Sequence, residues 1–152
     1  MATRGLRHWP YTQACPEDLP APELTLLDAI RAWEQARRRG DAPLNRARLV
    51  LETEGAATAA PALDGLLRAL SGRSAARIGC VLCPRLTEDE ALLLTAVALA
   101  QRQARGEALA MLLCHLQAPS AYAAMAATIT LACHFRAAGL RFADPWTFRG
   151  AD

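Results

Sequence analysis

The residues best suited to chemistry in this chain are Cys80 and Cys83, in the run Cys80-Val81-Leu82-Cys83-Pro84-Arg85. Two thiols at C-x-x-C spacing can close a disulfide or share a metal ion. Cys83 lies just before a helix start expected at Thr87, and the positive end of that helix dipole favours a nearby thiolate. Arg85 would add to the effect. A zinc or iron–sulfur site needs about four ligands, and the sequence has no second C-x-x-C. Three readings stay open: incidental thiols, which is the plainest, a metal site, and a redox pair.

Cys114-His115 and Cys133-His134 are the other candidates. If the last three helices run up, down and up, Cys114 and His115 sit about 10–15 Å along the axis from Cys83. Cys133 then lies roughly 20 Å into the last helix, towards the opposite end of the bundle. One site using both Cys-His pairs is not expected. His115 joins Cys80 and Cys83 only if their loop reaches inward. Cys133 shares a helical face with Tyr122, Met125 and Ile129 and reads as a small core residue. Cys114 lies nearly opposite its own helix's leucine stripe.

Other polar clusters have plain explanations. Glu88-Asp89-Glu90 places acids where a helix N-terminus favours them, and Arg37-Arg38-Arg39 places cations at a helix C-terminus. Cys15-Pro16 and Cys83-Pro84 are dipeptides of the haem-regulatory kind, which recur by chance. No nucleotide-binding glycine loop, nucleophile elbow or H-E-x-x-H is present. All 17 basic residues are arginine, so lysine Schiff bases and phosphate-gripping lysines are excluded. The net charge of +2, with acids interspersed, gives no nucleic-acid signal. These gaps lean the reading away from catalysis.

The elements that must position these residues are helices. The 152 residues include 34 Ala and 24 Leu, both strong helix formers. Prolines make residues 1–21 an extended N-terminal arm. A single helical domain is expected over 22–142, with a tail over 143–152. Helices are expected at about 22–39, 41–54, 59–70, 88–105, 107–117 and 120–138. On the first, Leu26, Ile30 and Trp33 share a face, with Arg31, Glu34 and Arg38 elsewhere. Thr87 and Glu90 form a capping box, and the run 91–100 is apolar on all sides, which marks the fourth helix as buried. Residues 75–84 are the least helical part, short and irregular or extended before Pro84. The fold expected is an all-α bundle of five or six helices, with the fourth and sixth central.

The stretch 66–94 resembles a small bacterial family of unknown function. The likeness is carried by Leu66-Leu67-Arg68-Ala69-Leu70, by Ile78 to Cys80, and by Cys83-Pro84-Arg85-Leu86-Thr87-Glu88-Asp89-Glu90-Ala91-Leu92-Leu93. That family is all-helical and carries a C-C-C-x-R-M-T-x-x-E block before an apolar helix. Here Val81 and Leu82 stand where two consecutive cysteines would be, and Leu86 replaces the methionine. The likeness covers under half of the chain. It implies a helical fold and no activity.

Residues 1–22 contain no apolar leader core. Five cysteines are too odd a number for a complete disulfide framework, so free thiols in the cytoplasm are expected. Residues 108–135 lack formal charge, but 117–120 divide them into pieces shorter than the ~20 residues of a membrane span. The function expected first is a non-enzymatic interaction or regulatory module. Its partner would be another protein or a second copy, met through the Tyr122, Met125 and Ile129 face. The alternative is a metal-binding or thiol-redox protein using Cys80 and Cys83, with Arg85 and His115 as auxiliaries. No resident cofactor is expected under the first reading, and zinc or iron–sulfur enters only with the second.

Overall fold

A computed structural model describes residues 9–71 and 77–150. Six α-helices carry the fold: α1 (Ala21–Arg39), α2 (Pro43–Glu52), α3 (Ala60–Ser71), α4 (Glu88–Gln101), α5 (Arg105–His115) and α6 (Ala118–Ala137). Short 3-10 turns stand at Pro16–Asp18, Ala57–Ala59 and Pro145–Thr147, and the described residues contain no strand. No helix among the described residues is long and apolar enough to cross a membrane.

Helix ends follow local chemistry. Prolines in the first turn open α1, α2 and α6, where a missing N–H costs nothing. For that reason α6 begins at Ala118 rather than near Ser120. Gly40 ends α1 in the left-handed conformation. The capping box forms at α4, with the Thr87 side chain on the Glu90 N–H and the Glu90 side chain on the Thr87 N–H. That helix ends at Gln101, short of the expected 105. Gln103 takes the left-handed turn (φ 64°), and Gly106 falls inside α5.

α4 is buried from Glu90 to Ala100, with α5 and α6 packed beside it and α1 touching it near its start. α1 lies on α2, and α3 lies on α6. Trp33 is buried and donates its indole N–H to Asp64 of α3 at 2.7 Å. α6 buries Ala121, Ala124, Met125, Thr128, Leu131, Ala132 and Phe135. Two expectations on this helix change. Cys133 is exposed rather than in the core. The Tyr122, Met125 and Ile129 face is divided, with Tyr122 exposed, Ile129 half-buried and Met125 buried. The wider buried arc centres on Ala124, Thr128 and Leu131, and that places Cys133 on the solvent side.

The segments before α1 and after α6 lie against the helices. Tyr11 is buried, stacks on Phe148 at 4.9 Å and points its hydroxyl at Glu23 (3.4 Å). The Ala143 N–H donates to the same Glu23 oxygen at 2.9 Å. Glu23 is fully buried, and its Oε2 has no hydrogen-bond partner among the described residues. Burial pushes its carboxyl above the ordinary range.

Candidate functional site

The site grows from one arginine. Arg31 projects from α1 towards the start of α4, where it is 2% exposed against a Glu90 that is fully buried. Its Nε and Nη2 donate to the two Glu90 carboxylate oxygens at 2.9 and 3.0 Å. A buried bidentate pair of this kind persists only when its remaining donors and acceptors are also satisfied. The loop 77–87 satisfies them. Arg31 Nη1 donates to the Cys83 carbonyl at 2.9 Å and Nη2 to the Arg85 carbonyl at 3.2 Å. Glu90 accepts the Gly79 N–H and the Thr87 N–H, each at 2.9 Å.

Further hooks hold the same loop. Arg38 donates to the Ile78 carbonyl at 2.9 Å while also paired with Glu34. The Arg77 N–H donates to Asp89 at 2.6 Å, and the Thr87 hydroxyl donates to the Arg77 carbonyl. The Leu86 N–H donates to the Ala14 carbonyl at 2.9 Å, which joins the loop to the N-terminal segment. Space is tight at Gly79. A Cβ there would sit 3.2 Å from the Cys83 Cβ, 3.2 Å from Glu90 Oε1 and 3.3 Å from Arg31 Nη2.

On this base stands a tight turn. The Cys83 N–H donates to the Cys80 carbonyl at 3.1 Å, so Val81 and Leu82 occupy the corner. The two Sγ atoms lie 2.9 Å apart, and the Cys80 N–H points at the Cys83 sulfur at 3.0 Å. The Cys80 thiol is pulled below the ordinary thiol range, first by the hydrogen bond from the Cys83 thiol, then by the Leu82 N–H. The hydrogen bond shared with Cys80 pushes the Cys83 thiol up. The Arg31 guanidinium favours the thiolate at both sulfurs.

The structure thus brings Cys80 and Cys83 together and leaves the other candidates elsewhere. Arg85 turns its guanidinium to the Gln13 carbonyl (3.2 Å), so the cation beside the sulfurs is Arg31. His115 lies with Trp9, Pro10, Glu88, Leu92 and Met111 around a separate cleft of about 160 Å³, and its Nδ1 contacts the Met111 carbonyl. Cys15 is half-buried, while Cys114 and Cys133 are exposed. Among the described residues no three His, Cys, Asp or Glu side chains gather closely enough to hold a metal ion.

Sequence reasoning passed over Arg31, Gly79 and the second role of Glu90. The signal for Arg31 was present: Leu27, Ile30, Arg31 and Glu34 follow the spacing of a buried helical stripe, and all four are buried. Compared with family models, with curated proteins and with solved structures, the chain matches none.

Proposed function

We propose that this protein is a thiol–disulfide redox protein working through Cys80 and Cys83. The observation that carries the reading is the 2.9 Å separation of the two sulfurs in a solvent-facing turn. Cys80 is the attacking thiolate, since it is the more exposed of the two cysteines and its hydrogen bonds favour the charged form. Cys83 is the resolving thiol. Arg31 and Glu90 are positioning residues that fix the backbone on both sides of the pair. The likeness of 66–94 to the helical family stays a proposal about the fold and adds no activity to this reading. Oxidation by oxidised dithiothreitol, followed by peptide mass mapping, tests it. One disulfide linking Cys80 to Cys83 is expected. Oxidation that links other cysteines, or none, contradicts the reading.

A second reading has its own observation. Tyr122 is 60% exposed and Leu113 41% exposed, which favours the interaction module expected first. The divided face of α6 narrows that surface to Tyr122 and the edge of Ile129. A metal form would need two ligands besides Cys80 and Cys83 to complete a tetrahedral set. Metal analysis of protein purified anaerobically without chelator separates it from the redox form.

A further inference from the structure

Resting on the redox reading, we infer that the disulfide partner of Cys80 is a polypeptide whose cysteine is flanked by apolar residues seated on the Val81–Leu82 corner. Leu82 is 87% exposed and Val81 51% exposed. A single exposed aliphatic side chain is ordinary on a protein surface; here two neighbours stand together on a loop that is held in place. Its flanks are tied at Ile78, Gly79, Cys83 and Arg85 by Arg38, Glu90 and Arg31. The turn hydrogen bond between Cys83 and Cys80 keeps the corner raised. The fold therefore holds two aliphatic side chains in water, directly between two reactive sulfurs.

The chemistry selects what covers them. The occupant must bring a sulfur to Cys80 and apolar surface to Leu82 at the same time. A polypeptide disulfide with apolar neighbours does both. A small charged disulfide brings only the sulfur.

The exchange balances without another reagent. The Cys80 thiolate attacks one sulfur of the partner disulfide, and a Cys80–partner bond forms as the partner's own S–S bond breaks. The departing sulfur takes a proton from water. Cys83 then gives up its proton and attacks the Cys80 sulfur. The Cys80–Cys83 bond forms, the Cys80–partner bond breaks, and the second partner sulfur is protonated. The partner gains two electrons from this chain and two protons, one from water and one released by Cys83.

The test uses the reduced full chain and two synthetic peptides of equal charge. Each has one intramolecular disulfide, flanked in one case by leucines and in the other by serines. The leucine peptide is expected to be reduced on the order of tenfold faster, the scale of burying one leucine side chain. Leu82→Ser is expected to bring the two rates together. In Cys83→Ser the leucine peptide should remain attached to Cys80. Equal rates in the unaltered protein would overturn the inference and leave the redox reading standing. If neither peptide is reduced, the redox reading falls and the inference with it. Light scattering completes the test. A reduced dimer that Leu82→Ser dissolves would make a second copy the occupant, and that too overturns the inference.

Discussion

Arg31 and Glu90, 59 residues apart in sequence, meet in a buried bidentate ion pair that fixes the turn carrying Cys80 and Cys83. Both residues are buried, and each spends its remaining capacity on the loop backbone. The pair is thus a support for the dithiol as well as a join between α1 and α4.

Removing one partner strands a buried charge. Arg31→Met is expected to cost about 3–5 kcal/mol, a large share of the roughly 5–15 kcal/mol that holds a domain together. Arg31→Met/Glu90→Met removes both charges and should recover part of that loss, short of all of it because four loop backbone groups lose their partners. In the double variant the Cys80 thiol should return towards the ordinary range. Urea unfolding and pH-dependent alkylation read the two effects separately.

Gly79→Ala tests the tightness of the support. Its Cβ would meet Cys83, Glu90 and Arg31 at 3.2–3.3 Å, and overpacking of this kind costs about 1–3 kcal/mol. The expected result is lower stability with faster amide exchange in residues 78–87. An unchanged denaturation midpoint would show that the loop gives way freely.

Cys83→Ala removes the thiol that donates to Cys80. The hydrogen bond stabilises the charged form of Cys80, so its loss should raise the Cys80 pKa. The pH profile of iodoacetamide labelling at Cys80 is expected to shift upward. A profile that stays in place would assign the lowered value to the backbone N–H groups and Arg31.

Glu23 supplies a pH dependence of opposite character. Burial raises its folded pKa, so the native state binds more protons than the unfolded chain in the interval above the ordinary carboxylate value. Stability contributed by this group should therefore fall as pH rises through that window and level off above the raised value. Glu23→Gln should flatten the decline that begins above the ordinary carboxylate value, measured as denaturation midpoint against pH. An identical slope in the variant would show that other groups set it.

Much of the fold was legible because it rests on local rules. Thr87-x-x-Glu90 announced the start of α4, and the apolar run 91–100 announced its burial. Gly40 marked the end of α1, and Pro22 and Pro43 the starts of α1 and α2, whereas Pro119 reads as a break in the sequence although it lies in the first turn of α6. The C-x-x-C spacing pointed to Cys80 and Cys83. Its support was not legible, because long-range pairing of Arg31 with Glu90 has no local signature and a charged residue on a helix is first read as solvated. Cys133 was misjudged for a related reason. In an alanine-rich helix such as α6 many faces look apolar, and only packing against α3, α4 and α5 decides which one is buried.

The most direct measurement of the central claim is a redox titration of the Cys80–Cys83 pair in dithiothreitol buffers, read by alkylation and peptide mass. One reversible transition is expected in which both thiols disappear together, with a tenfold change in the equilibrium for about every 30 mV as a two-electron couple requires. Independent disappearance of the two thiols, or no disulfide between them at any potential, would contradict it.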